Sequence, residues 1–480
     1  MSVNSYKNNP LSWHPDKALL KSPIYKSLVD LLQEDILSNQ LTQDTKLPSQ
    51  RELADYLDIN FTTVGQAYQY AIKKGLLYTN VGSGTYVSPN AYHSATISNH
   101  NVKQNIIDFG LVSSFEEYNS LVVPFIQSVA SSPKLIQLLD YQHPMGTNFQ
   151  IETASKWLET QGVLPYTNHV AIVSGVQNGL AIVLSALFAP GDRIAVDRYT
   201  YSNFIELAHL YHLEIVPIDF DGNGMSPEAL NNECLKKKIQ GIFLMPSCNN
   251  PIGFQISEER RYELAKIIKK MNLIVIEDDI HSFMTTYFQD KVLPPFQQLL
   301  PKQTIYLAGM TKYISSGLRI AYLVYPQNFK SAIEKALFNI NVKTSGLDAE
   351  IITQIIHSST AKKILENKFE KLQEANQLFD TVFESIKPQR PSNNYPLYRI
   401  LNLKNKLTQE RQDTIENHLL NQGVRVFHSD RFSTQTQPDP FIRIGLSSNN
   451  MEKLEKGLKI IKKEGKNIIN KPCNKKTDLK

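Results

Sequence analysis

The sequence predicts an α/β protein built on a mainly parallel sheet, with a small helical unit before it and a smaller α+β segment after it. Three observations carry this expectation. First, short β-rich runs recur as HVAIVSG (169–175), RIAVD (193–197), EIVPIDF (214–220), GIFLMPS (241–247), LIVIEDD (273–279), TIYLAG (304–309) and RIAYLVY (319–325). Their apolar residues are continuous rather than alternating, the pattern of strands buried on both faces. Second, helical stretches such as Glu258–Met271 separate many of the runs, as parallel crossovers require. Third, long helices with few strands follow residue 330, which predicts a smaller C-terminal subdomain from about residue 335.

A chain of 480 residues is long enough for two or three domains. Hydrophobic residues make up 41% and charged residues 20%, which favours a globular chain over a disordered one. The polar start MSVNSYKNNPLSWHPDK lacks a signal-peptide core, and the most apolar stretch, Gly179–Pro190, is too short to span a bilayer. The expectation is a soluble cytoplasmic protein with no membrane association. Cys234, Cys248 and Cys473 show no CxxC spacing, so neither a metal site nor a disulfide framework is expected. The net charge of +5 sits largely in the tail, at Lys466, Lys471, Lys475, Lys476 and Lys480, while residues 1–88 are neutral overall. Charge alone therefore gives no argument for a nucleic-acid-binding head, and the tail reads as a solvated end.

Residues 1–88 divide into short helical patterns and a hairpin. Ile24 to Ser38 carries Ile24, Leu28, Leu31, Leu32 and Ile36 on one face. Ser49 with Glu52 three residues on forms a capping-box pattern before SQRELADYL. From about Thr62 to Lys74, Val64, Ala67, Tyr68, Ala71 and Ile72 form a buried face, leaving Thr62, Thr63, Gln66 and Gln69 outward. Gly75 is placed as the C-cap, and LLYTNVGSGTYV reads as a hairpin around Gly82, Ser83 and Gly84. Three helices and a hairpin make a winged helix-turn-helix, whose third helix would enter a major groove. A small helical protein-interaction module is the alternative. Residues 89–105 are polar and aperiodic and read as a linker, followed by the body at 106–480.

KLPSQRELADYLDIN-FTTVGQAYQYAIKKGLLYTNVGSGTYV resembles the GntR-type DNA-binding head along its length. The resemblance implies that Ser49 and Arg51 contact phosphates or bases. It puts Thr62, Thr63 and Gln66 on the reading helix, and Gly82, Ser83, Gly84 and Thr85 at the wing tip. The family usually has Arg where this chain has Phe61. With a neutral head, that implies modest affinity per monomer, so binding of a double-stranded operator would need a dimer on two half-sites.

In the body, chemistry-bearing residues fall at strand ends or in the loops that follow. They are SGVQNG (174–179), Tyr201, Asn250 in NNPIG, Asp278 in IEDD, and Lys312 with Arg319 in AGMTKYISSGLRIAYL. Ligands bind at such edges of open α/β sheets. Pyridoxal 5′-phosphate needs this kind of set: an amine for a Schiff base, an acid for the pyridine nitrogen, a donor for the ring hydroxyl, an aromatic cover and an anion cradle. Each residue alone also has a plain structural reading, as a solvated lysine, a helix cap or an ion pair.

The ordered set resembles the fold-type I aminotransferases over roughly 106–465, through YQHPMG (141–146), NPIG and TKYISSGLR. The resemblance implies that Lys312 forms the Schiff base and that Asp278 pairs with the pyridine nitrogen. Asn250 would bond the ring hydroxyl, and Val176, Gln177, Thr311 and Arg319 would hold the phosphate. Tyr141 would reach the phosphate of a neighbouring subunit, and Arg443 in FIRIGLS would grip an α-carboxylate. His281 stands where the family often has Tyr; it is either a second ring-hydroxyl partner or a structural histidine. The segment Phe109–Val123 lacks the family's Gly-Pro pattern.

A GntR-type head joined to such a body resembles the MocR-type regulators. That resemblance implies a homodimeric transcriptional regulator that senses an amino acid, an amine or the cofactor itself through the Lys312 Schiff base. The alternative is a working aminotransferase that also binds DNA.

Overall fold

A computed structural model describes residues 11–37, 40–42, 44–73, 76–80, 83–88, 106–141, 143–164, 169–221, 224–284, 292–386, 388, 395–403, 412–434 and 439–465. Gly75, Gly82, the linker at 89–105, Cys473 and the lysine-rich tail from Lys466 lie outside them. The chain divides into two compact units, Met1–Ser98 and Asn99–Lys480.

The first unit holds helices α1 (Ile24–Leu37), α2 (Gln50–Leu57) and α3 (Phe61–Lys73), then strands β1 (Leu77–Asn80) and β2 (Gly84–Val87) paired antiparallel. The capping box forms as the spacing predicts: Ser49 accepts from the Glu52 N–H, and Glu52 accepts from the Ser49 N–H at 2.8 Å. Leu32, Leu53, Leu57, Val64, Ala67 and Ala71 bury the amphipathic faces against one another. Tyr68 joins them and donates to Pro48 O at 2.8 Å, so its hydroxyl is buried without loss of a partner. Trp13 adds a residue that the polar N-terminal stretch gave no reason to expect. It is 3% exposed in this core, and its Nε1 donates to Asp35 Oδ2 at 2.8 Å. Trp13→Ala should therefore destabilise the head by about 3–5 kcal/mol. Hydrogen exchange of α1 and α3 amides in the full chain measures it, and a loss below about 1 kcal/mol would show that Trp13 is not core.

The second unit is organised by a seven-stranded sheet among the described residues. Its strands are β4 (His169–Val173), β5 (Arg193–Asp197), β6 (Glu214–Ile218), β7 (Gly241–Leu244), β8 (Ile274–Asp278), β9 (Thr304–Gly309) and β10 (Ala321–Tyr325), in spatial order β4-β10-β9-β8-β7-β5-β6. β10 runs antiparallel to both neighbours, and the other pairings are parallel. Ala321 at the start of β10 pairs with Gly309 at the end of β9 and with Val173 at the end of β4. The residues leading into β10 therefore lie on the edge where the parallel strands end. Apart from the edge strand β6, the strands are almost wholly buried, as continuous apolar runs require, with the helices Val176–Leu187 and Lys330–Asn341 on one face.

A three-stranded antiparallel sheet, β11 (Tyr398–Asn402), β14 (Phe441–Gly445) and β13 (Phe427–His428), forms the smaller α+β part. β12 (Val424–Arg425) pairs in parallel with β3 (Ile107–Asp108). The first described residues after the linker are thus held by the C-terminal part of the body. Phe109 packs on the helix Met451–Glu464 at Gly457, where a Cβ would come within 2.5 Å of its ring.

Candidate cofactor pocket and DNA-facing surface

At the sheet edge, β4 turns at Gly175 (φ 86°) into the helix Val176–Leu187, and no side chain caps that helix. Its first N–H groups, at Val176 and Gln177, point the positive end of the helix outward, which suits an anion. The Arg319 guanidinium lies against the same turn: a Cβ on Gly175 would come within 2.9 Å of its Nη2. Arg319 itself takes a left-handed φ of 44°, uncommon outside glycine. The turn at Gly309, two residues before Thr311, touches Val176, since a Cβ there would lie 3.0 Å from Val176 Cγ2. Backbone donors and a guanidinium converge here, with the half-buried Thr311 on the adjoining turn.

Asp278 ends β8 and is 2% exposed. Neither of its oxygens makes a well-formed hydrogen bond among the described residues. Burial and the adjacent Asp279 push its carboxyl up to about 8; the approaching Ile280 N–H offsets only part of this. A buried carboxylate in this position calls for a cationic donor. Asn250 lies in the loop after β7, bonded to Arg443. His281 is 3% exposed, with neither ring nitrogen hydrogen-bonded among the described residues, and burial together with Lys312 lowers it to about 3, so it is a neutral imidazole. Lys312 lies on the short helix Met310–Tyr313, rather than in a bare turn between two strands. Its Nζ donates to Val112 O and, at 3.4 Å, to Ser113 O. Burial lowers its ammonium to about 8; Glu116 opposes this, and Arg443 and Arg319 add to it. Tyr201 precedes the helix Ser202–Leu210, with its phenol pushed up by burial and by Asp278.

Arg443 on β14 is 4% exposed. Its Nη1 donates to Asn250 Oδ1 at 2.8 Å and its Nη2 to Gly110 O, while Nε has no partner among the described residues. Phe432, Tyr398 and Phe427 surround the guanidinium, at 4.7, 5.6 and 5.6 Å from the ring centroids. Burial lowers it to about 10, and it stays charged at neutral pH.

The fold thus gathers Val176, Gln177, Tyr201, Asn250, Asp278, His281, Thr311, Lys312, Arg319 and Arg443 at one end of the sheet. Tyr141 is 93% exposed, and none of the hydrogen bonds or ring contacts named above involves it. Two charged neighbours of Lys312 carried no signal in the sequence. Glu116 accepts from Ser114 N and Ser316 Oγ, each at 3.1 Å, and Lys368 is buried beside the Lys312 turn.

On the head, a concavity of about 830 Å³ is lined by Lys46, Ser49, Arg51, Ser83, Gly84 and Thr85, among others. Gly84 (φ 137°) leaves room for Lys46, whose Cε would lie 2.8 Å from a Cβ there. Thr62 and Gln66 are exposed and Thr63 half-exposed along α3, with Asn60 Oδ1 accepting from Thr62 N at 2.9 Å. Gly82 lies outside the described residues.

A DNA-binding head on an aminotransferase-type body defines a class of transcriptional regulator, and the similarities to known proteins agree. Residues 133–461 match the model of aminotransferase class I and II, and residues 24–87 that of the gntR family of bacterial regulatory proteins. The chain belongs to the aminotransferase class I and II family and, through its GntR head, to the MocR-type regulators. It is 33% identical to YdeF of Bacillus subtilis, an uncharacterized HTH-type transcriptional regulator, over 96% of this chain and 99% of the relative. It is 22% identical to PdxR of Corynebacterium glutamicum, an HTH-type pyridoxine biosynthesis transcriptional regulator, over 66% and 68% of the two chains. The fold is that of kynurenine aminotransferase from Pyrococcus horikoshii: TM-score 0.69, 18% identity, 76% of this chain and 92% of that one. Among the described residues no helix is long and apolar enough to cross a membrane.

Proposed function

We propose that this regulator holds pyridoxal 5′-phosphate at Lys312 and that a small amino-group effector, read there, sets how it binds its operator. The observation that carries the reading is the buried Asp278 carboxylate without a well-formed partner, on the same sheet edge as Lys312 and the Gly175–Arg319 anion cradle. When bound, the vitamer supplies an aldehyde carbon that a primary amine can attack.

The residues divide the remaining work. Lys312 offers an amine whose lowered proton affinity leaves a usable free-base fraction near neutral pH. Asp278 holds a proton at the pyridine nitrogen. Val176 and Gln177 N–H groups, Thr311 and Arg319 bind the phosphate, and Tyr201 covers the ring. Asn250, with neutral His281 nearby, bonds the ring hydroxyl. Arg443 fixes an effector carboxylate, which would share the guanidinium with Asn250. Tyr141 completes the phosphate site of a second subunit, so the working form is a homodimer. In the head, Ser49, Arg51, Thr62, Thr63, Gln66 and the wing residues Gly82, Ser83, Gly84 and Thr85 face DNA. A cytoplasmic location follows from that role.

The test is a spectral titration of cofactor-loaded protein against amino acids and amines, with keto acid assayed in parallel. A spectral change without product supports the sensor; repeated turnover would identify an aminotransferase instead. The name of the Corynebacterium glutamicum relative favours one second reading, in which the vitamer is itself the signal. DNA binding with and without vitamer, in the absence of amines, distinguishes it. For the head, Arg51→Ala should weaken binding to DNA fragments uniformly across sequences and reduce the salt slope by about 1 per head. Fluorescence anisotropy at several salt concentrations measures both, and an unchanged slope would remove Arg51 from the interface.

A further inference from the structure

Lys368 is a buried cation that the site described above does not use. It projects from the helix Thr360–Val382 and is 5% exposed. Its Nζ donates to Ile314 O at 2.7 Å, Lys312 O at 3.2 Å, Tyr313 O at 3.3 Å and Ser114 Oγ at 2.9 Å. The three carbonyls close the short Lys312 helix, where no further turn supplies donors and where a cation is favoured. Ser114 belongs to the strap that follows β3, the same strap whose Val112 and Ser113 carbonyls accept from Lys312. One ammonium therefore ties together the turn that carries Lys312 and the backbone that faces it.

We propose that Lys368 is a positioning residue for Lys312, holding its turn and the 112–114 strap in one arrangement around the Lys312 amine. The proposal rests on the reading of Lys312 as the cofactor-anchoring amine. Glu116 is its counterweight. It braces the same two segments through Ser114 and Ser316, but its negative charge favours the Lys312 ammonium. The other charged and titratable groups around the pair are Arg443, Arg319 and His281 on the Lys312 side. Tyr313, Tyr118 and the Lys371–Glu117 ion pair flank Lys368. Burial and Lys312 lower the Lys368 ammonium to about 7, with Glu116 opposing, which agrees with two cations held close.

The experiment is competitive acetylation of the cofactor-free full-length protein by acetic anhydride across pH, with the Lys312 peptide quantified by mass spectrometry. K368M should raise the midpoint of Lys312 labelling by about one pH unit, since a loosened turn and strap let water reach an amine that burial now holds low. K368R, which keeps donors for the carbonyls, should not raise it, and E116Q should lower it. A residue that only packs the helix would change melting temperature and leave this midpoint in place. An unshifted midpoint in folded K368M overturns the proposal. If K368M does not fold, K368Q, whose shorter side chain and two N–H donors cannot serve all four acceptors, should show a rise in the same direction, and an unshifted midpoint there overturns the proposal equally. Because labelling uses no vitamer, a vitamer that fails to attach at Lys312 would overturn the cofactor reading separately.

Discussion

Lys312→Ala should fold normally and lose covalent cofactor retention altogether. Desalting after incubation with pyridoxal 5′-phosphate should leave about one cofactor per chain on the unmodified protein and almost none on the variant. The side chain is half-buried, so its removal costs little packing, and folding gains from losing an amine that burial already holds well below its usual value. Lys368, a buried lysine nearby, cannot take over. Its Nζ is committed to three carbonyls and a hydroxyl. Full retention by the variant would show that the anchoring amine lies elsewhere.

Asp278→Asn should stabilise the cofactor-free protein at pH 8 while weakening cofactor binding. The folded-state carboxyl titrates at about 8, against about 3.9 in an unfolded chain. The native state therefore keeps a proton that the unfolded state has lost across roughly pH 4–8. Stability from this group is whole below that window and disappears as pH rises through about 8. Asparagine has no such window. The variant should gain about 1–3 kcal/mol at pH 8 and much less at pH 5. Cofactor affinity should fall tenfold or more, about 1.5–3 kcal/mol, because a neutral amide oxygen can accept from a protonated pyridine nitrogen but cannot balance its charge. Thermal unfolding at the two pH values and equilibrium binding measure the two halves. Equal pH profiles for the two proteins would mean that Asp278 is compensated in a way its surroundings do not reveal.

Residues set by strand ends and caps were legible in the sequence. Asp278 closes a continuous apolar strand, Asn250 follows one, and the Ser49–Glu52 spacing forms the capping box it predicts. Arg319 was legible as a residue, but its placement against Gly175 depends on β10 running backward between β4 and β9, which apolar periodicity does not encode. Lys368 sits in AKKILENKFEKLQ beside Lys362, Lys363 and Lys371; only the packing of that helix on the Lys312 turn makes one of these lysines different. Gly110, Val112 and Ser113 act through carbonyl oxygens, which every residue has, so no side-chain pattern marks them. The aromatic enclosure of Arg443 comes from two separate segments, one at Tyr398 and one from Phe427 to Phe432.

Borohydride reduction of the full-length protein after incubation with pyridoxal 5′-phosphate, followed by peptide mapping, tests the central claim most directly. The account predicts one phosphopyridoxyl group per chain, on the peptide that contains Lys312. A label on any other lysine, or none at all, would contradict it.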